Sequence, residues 1–361
     1  MENRRRFLTR GFGVLSALAG GGVILRGQDP ADHPSRGMIT PATQEAIDAG
    51  LLYLQRSQNG DGSFGLQQQH GNVAITAICG LAFMAGGHQP GRGRFGRVVN
   101  RALEYILSQE DPNTVGFLAN RPAGGHGPMY GHGFATLFLT EAHGMVDQPA
   151  LRSRLRATLD RAVKLIVNTQ NKDGGWRYHP VVNDADISVT ICQIMALRAA
   201  RNAGFAVPKA TADRCINYVK ACQDLHSGGF RYQMQPQGRS DTGFARTAAG
   251  VVALYSAGLY DGREVEKGLE FLKRLQPGKT QGGFFADPHY FYGQYYAAQA
   301  MWIAGGRYWN SWYPAIRNEL LANRSRDGFW SSGNPNDPHY CTGMALIILQ
   351  IPNNYLPILQ R

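Results

Sequence analysis

The stretch Gln170-Asn171-Lys172-Asp173-Gly174-Gly175-Trp176 carries the reading of the fold. Its paired glycines permit positive φ and a tight reversal, and Asp-Gly favours a turn. Helical periodicity precedes it and the apolar run Ile187 to Ala200 follows, so it reads as a turn between two helices. The same arrangement recurs. Turns run from Gln58 to Phe64, from Gln109 to Phe117, from Gln223 to Phe230, from Gln276 to Phe284 and from Asn323 to Trp330. Six copies make an internal repeat of about 54 residues, and only the last replaces Gln.

The two helices of each repeat differ. In the fifth copy Val265, Leu269, Leu272 and Leu275 fall on one face, while Arg263, Glu266, Glu270 and Lys273 fall elsewhere. That pattern predicts an outer helix. The second helices, over Val73 to Met84, Ile187 to Ala200, Ala248 to Ala257 and Met344 to Ile351, are apolar most of the way round, which predicts inner helices enclosed by neighbours. Gly86, Gly144, Gly204, Gly258 and Gly305 stand where helix C-caps are expected. No strands are predicted. Asn59-Gly60-Asp61-Gly62 lacks the distal Glu of a calcium loop and reads as a turn.

The rest of the composition mostly excludes. A chain of 361 residues with 43% hydrophobic and 17% charged residues can bury a core and is not disordered. The formal charge of +11 is scattered through Arg92, Arg152, Arg198, Arg246 and Lys273, so no nucleic-acid footprint is indicated. Five cysteines cannot all pair within the chain, and Cys215 and Cys222 stand about two helical turns apart, beyond disulfide reach on a helix. They read as core residues. No G-x-S-x-G, H-E-x-x-H, P-loop or dinucleotide fingerprint occurs. At the start, Arg4-Arg5-Arg6-Phe7-Leu8 and the weakly apolar run to Leu25 resemble a twin-arginine export signal, which predicts an exported protein of the periplasm or cell envelope. Residues 1–37 are then signal and linker, and residues 38–361 a single domain of six repeats.

These Gln-to-aromatic turns resemble the repeats of the prenyltransferase and squalene oxidase repeat superfamily, over roughly residues 40 to 351. The resemblance implies an all-α fold, an (α/α)6 toroid of six hairpins in two concentric rings, with inner-helix N-termini around one mouth of a central cavity. It also implies that His70, Tyr130, His132, Asp184, Asp186, Asp241, Asp287, His289, Tyr292, Asp337, His339 and Tyr340 line that mouth. Tyr130, His132, Asp241, Tyr292 and Tyr340 are the candidate ligand-binding residues.

Asp184-Ala185-Asp186-Ile187-Ser188-Val189-Thr190 opens the third inner helix and is similar to the D-x-D-D-T of class II terpene cyclases, whose middle Asp protonates an alkene or epoxide. By position Asp186 would be the acid and Asp184 its partner, because such a step needs a neutral, buried carboxyl made donating by its neighbours. Ile187 stands where the family has a second adjacent Asp, and helix N-capping explains the same two residues. The tetrads Asp287-Pro288-His289-Tyr290 and Asp337-Pro338-His339-Tyr340 resemble the zinc-binding pattern of protein prenyltransferases, but His289 replaces Cys and His339 is offset, so turn capping is the expectation and neither a metal nor a cofactor is assigned. The implied function is binding of a hydrophobic, isoprenoid-type ligand, with acid-catalysed cyclisation by Asp186 if the protein is an enzyme. A non-catalytic envelope protein and a carbohydrate-active toroid are the alternatives. Contact with a membrane surface fits the first. Length argues against a complete triterpene cyclase, since those resemble two fused helical domains.

Overall fold

Twelve α-helices alternate along the described residues of the computed structural model, which are 35, 37–120, 127–234, 242–279, 287 and 289–360. They are α1 (Pro41–Ser57), α2 (Val73–Ala85), α3 (Gly96–Ser108), α4 (Pro128–His143), α5 (Pro149–Asn168), α6 (Ile187–Asn202), α7 (Lys209–Ala221), α8 (Phe244–Ala257), α9 (Arg263–Arg274), α10 (Tyr290–Ala304), α11 (Gly306–Ala322) and α12 (Pro338–Gln350). The export-like segment and the fifth turn around Phe284 lie outside the described residues.

The even-numbered helices pack in sequence, α2 on α4, α4 on α6, α6 on α8, α8 on α10 and α10 on α12, and α12 packs back on α2. A ring results. The odd-numbered helices lie outside it: α3 on α2, α5 on α4, α7 and α9 on α8, α11 on α10, and α1 on α12. Side-chain pattern explains the division. α9 buries only Val265, Gly268, Leu269 and Leu272, whereas every residue of α2 except Ala74 is buried. This is the (α/α)6 toroid that the resemblance implies. All five cysteines are free and buried. One detail departs from the all-helical expectation, a two-residue ribbon pairing Phe230–Arg231 with Thr242–Gly243.

In the described turns, the turn chemistry locks one repeat to the next. Gly174 has φ +102°, and a Cβ there would lie 2.1 Å from the carbonyl oxygen of Arg214 on α7. Gly62, Gly116, Gly228 and Gly328 repeat this seat, each with positive φ and each placed so that a Cβ would lie within 2.9 Å of a carbonyl oxygen on the following outer helix, α1 following α11. The turn glutamine then bridges the same two elements: Gln170 Nε2 donates to Gly174 O and Thr211 O at 2.9 Å each. Gln58 does so to Gly62 O and Val98 O, and Gln223 to Gly228 O and Glu264 O. In the second repeat Gln109 does not bridge. There Glu110 accepts from Gly116 N and from Arg161 of α5 at 2.6 Å.

In four of the described turns the buried aromatic is fixed by the inner helix. The Phe64, Trp176, Phe230 and Trp330 amides donate to Oγ1 of Thr76, Thr190, Thr247 and Thr342, near the starts of α2, α6, α8 and α12. Both indoles also donate back to the preceding outer helix, Trp176 to Ile166 O and Trp330 to Leu320 O.

Two glycines of like backbone separate packing from strain. Gly204 has φ +85° and nothing within 4 Å of a Cβ. Gly204→Ala is therefore expected to cost about 1 kcal/mol of left-handed strain, and Gly174→Ala more than about 3 kcal/mol because α7 must also move away. Urea unfolding of the two variants checks this; equal losses would show that the close approach to α7 carries no energy.

Candidate functional site

Five of the six inner helices bring their first turns to one cavity. Tyr130 from α4, Ser188 from α6, Phe244 to Arg246 from α8, Tyr290 to Tyr292 from α10 and Tyr340 and Cys341 from α12 face a cavity of about 670 Å³. Tyr178, Tyr232 and Gly243 from the turns complete one wall, and Asp287, His289, Ser332 and Asp337 the other. The lining is mainly aromatic. Tyr130 and Tyr178 lie with ring centroids 6.1 Å apart, the Tyr178 and Tyr232 hydroxyls share a hydrogen bond, and Phe244 stacks on Trp312 at 6.1 Å and 7°.

The cavity has an aromatic floor. Tyr292 donates to Ser188 O at 2.9 Å and meets Tyr296 edge-on at 4.9 Å, and Tyr296 meets Tyr295 at 4.8 Å. Tyr295 in turn lies 6.0 Å from Phe134. Since α10 and α4 stand opposite each other in the ring, that last contact is made on the axis. The middle of the toroid is therefore filled with side chains, and the cavity occupies only its upper end.

Asp186 sits beside this cavity and is not among the residues that line it. It is fully buried as the N-cap of α6, where Oδ1 accepts from the Ser188 and Val189 amides at 2.9 Å each. Its Oδ2 lies 3.6 Å from Nε of Arg177, whose Nη1 pairs with Asp184 at 2.7 Å. Burial raises the Asp186 pKa to about 6 against the lowering pull of the Val189 amide and Arg177. One guanidinium thus bridges both aspartates, and it also lies over Tyr178 at 4.8 Å and Tyr232 at 5.6 Å. Asp184 is half exposed, outside the lining.

The other expected residues divide. Tyr130, Tyr292, Tyr340, Asp287, His289 and Asp337 line the cavity. His70 is exposed elsewhere, and Asp241 lies outside the described residues. His132 does not reach the cavity: it is fully buried, and Nδ1 accepts from Leu118 N at 3.2 Å, the place that threonine takes in four other turns. His339 is likewise diverted, with Nδ1 accepting from Gly65 N at 2.9 Å and Nε2 2.8 Å from Ser57 Oγ. Asp287, His289 and His339 therefore form no ligand set. Among the described residues no group of three or more His, Cys, Asp or Glu is placed to hold a metal. Asp337 is occupied by its own loop, accepting from the Ser331 hydroxyl at 2.9 Å and from Ser332.

Sequence reasoning passed over Arg177, Tyr178 and Tyr232. The signal lies in a triplet, Trp176-Arg177-Tyr178 and Phe230-Arg231-Tyr232, which places a tyrosine two residues beyond the buried aromatic in two successive turns.

Both buried imidazoles give a test of this placement. Burial lowers His132 and His339 to about 4, so they are neutral in the fold while the unfolded chain takes up protons below about 6.5. Their contribution is complete above pH 6.5 and is lost as pH falls toward 4. Urea unfolding of wild type and His339→Asn is expected to show a stability gap that narrows by about 3 kcal/mol from pH 7 to pH 4; a constant gap would mean that His339 is not held neutral.

Comparison with known proteins adds the following. The squalene-hopene cyclase C-terminal domain matches residues 144–303, and the prenyltransferase alpha-alpha toroid domain matches residues 35–123. The apo type II terpene cyclase MstE from Scytonema aligns with a TM-score of 0.59 at 16% identity, over 87% of this chain and 99% of that chain. A variant of MstE in complex with geranylgeranyl dihydroxybenzoate aligns equally well, over 98% of its chain. An inactive variant of the α-1,6-mannanase GH76A of Salegentibacter, in complex with α-1,6-mannotriose, aligns with a TM-score of 0.60 at 10% identity, over 85% of this chain and 98% of that chain. At these identities the shared feature is the fold. No protein of curated function matches the sequence. Almost the whole of the MstE chain thus aligns with this toroid.

Proposed function

We propose that this chain, with squalene-cyclase and prenyltransferase toroid signatures in different parts of its sequence, is a receptor that holds a hydrophobic, isoprenoid-type ligand in the cavity at the inner-helix N-termini. The observation that carries the proposal is the lining: eight of its seventeen residues are tyrosine or phenylalanine, around about 670 Å³ with an aromatic floor. A volume of that order is typical of small-molecule sites, and ring faces suit the polarisable double bonds of a prenyl chain. Arg246, Asp287 and Asp337 are the charged groups among the lining. MstE, of the same fold, is known with a geranylgeranyl-bearing substrate, which supports this ligand class.

Catalysis by Asp186 is not part of the proposal. Protonating an alkene requires a neutral acid facing the ligand, and this carboxylate is capped by two amides, paired with Arg177 and set outside the lining. The carbohydrate reading has less support. The mannanase is inactivated by changing two consecutive aspartates, and no two consecutive aspartates occur in this sequence.

Thermal unfolding of the full chain with geranylgeraniol, squalene or α-1,6-mannotriose tests the proposal. Geranylgeraniol at a hundred times its dissociation constant is expected to stabilise by about 2.7 kcal/mol, and Phe244→Ser to abolish the effect. Stabilisation by mannotriose alone would overturn the ligand class. A cyclised product formed by wild type and not by Asp186→Asn, seen by mass spectrometry, would overturn the non-catalytic reading.

A further inference from the structure

The far end of the inner ring, where the inner helices finish, is crossed by the segment that follows α12. Two short 3-10 turns, Ile351–Asn353 and Pro357–Leu359, shape it. Asn353 Nδ2 donates to the carbonyl of Ala85, the last residue of α2, at 3.1 Å. Ile358 N donates to the Glu141 carboxylate of α4 at 3.4 Å, Arg198 of α6 to Gln360 O at 3.1 Å, and Trp302 of α10 to Leu359 O at 2.8 Å. One strip of chain thus bonds to four inner helices besides the one it leaves. Leu356, Ile358 and Leu359 are buried against the ring, whereas Tyr355, Pro357 and Gln360 are exposed. Such alternation is that of a cover, one side packed and the other in water.

We propose that residues 355–360 are a detachable plug over the far mouth of the toroid, latched to the ring at Glu141, Arg198 and Trp302. Each latch is a side chain meeting plug backbone, so the segment is held by few bonds and its release leaves the inner helices intact. Release exposes the underside of the aromatic layer. Glu141 lies under that layer, facing Tyr295 of α10 and Arg198 of α6, the latter also lying over Tyr260. The plug therefore separates water from the lower side of the rings that floor the cavity, and this holds whichever ligand the cavity takes.

The latch at Glu141 makes release depend on pH. Burial pushes the Glu141 pKa up to about 7, against the lowering pull of the Ile358 amide and Arg198. With the plug off, the carboxyl meets water and titrates near its usual value of about 4.5. Between these two values the open form loses its proton first. Opening is then favoured about tenfold per pH unit from roughly 5 to 7, and levels off above 7.

Hydrogen exchange of the full chain, corrected for intrinsic rates and read by mass spectrometry at pH 5 to 8, tests the plug. In wild type, protection of residues 355–360 is expected to fall about tenfold per pH unit between pH 5 and 7 and then flatten, and in Glu141→Gln to be independent of pH. Trp302→Phe keeps the ring but removes the donor to Leu359. It is expected to speed exchange of the segment several-fold while amides of α6 and α10 keep their rates. Protection in wild type that does not change with pH, an unchanged slope in Glu141→Gln, or faster exchange spreading into α6 and α10 in Trp302→Phe would each overturn the proposal.

Discussion

Everything in this toroid depends on a turn glycine pressed against the carbonyl of the next outer helix. The glycine at 174 admits the Arg214 carbonyl into the space a Cβ would fill, and Gln170 then ties the turn and the first turn of α7 together with one amide. A side-chain amide donating to two backbone carbonyls fixes distance and angle at once, whereas apolar contact alone would let neighbouring hairpins slide. Repetition of that contact makes each hairpin the template for the next. The ring shuts when Gly328 of the last turn meets Ala49 of α1, where Arg324 pairs with Glu45 at 3.3 Å and Arg317 donates to Met38 O. An open solenoid needs polar end caps; closure removes the ends.

The same seat leaves freedom where function resides. The turn aromatic, the threonine that holds its amide and the bridging glutamine occupy the contacts between repeats, and the next few residues carry no such duty. His289 and His339 occupy the same place in the tetrads Asp287 to Tyr290 and Asp337 to Tyr340, yet one lines the cavity while the other holds Gly65 and Ser57. Neighbours in space decide between these fates: a histidine is recruited into structure when an amide and a hydroxyl are within its reach. His132 is the clearer case, a ring standing in for threonine.

Much of the architecture is legible in the sequence because two periodicities are superposed, 3.6 within helices and about 54 between turns. Val265, Leu269 and Leu272 announce an outer helix, and the unbroken apolar run of α2 announces an inner one. The site is less legible. Asp186 has the sequence context of an acid, but the Arg177 that pairs with it lies nine residues earlier, across a turn whose geometry no periodicity encodes. The filled axis is hidden for the same reason, since Phe134 and Tyr295 are more than 150 residues apart and meet only because the ring closes. Aromatic residues on an inner helix read alike whether they line a cavity or plug it.

That filled axis fixes what the cavity can select. Its nearby charges are largely met by their own surroundings: Asp337 by Ser331 and Ser332, Asp184 and Asp186 by Arg177. A carboxylate already satisfied by hydroxyls or a guanidinium offers a ligand little further Coulomb energy, because each new contact must displace one already made. Discrimination then falls to shape and to ring faces held rigidly by their neighbours, as Phe244 is by Trp312 and Tyr292 by Tyr296. On the proposed reading such a site takes ligands that are long, apolar and unsaturated over those whose affinity must come from many hydrogen bonds, since the aromatic wall offers hydroxyls and few other polar groups.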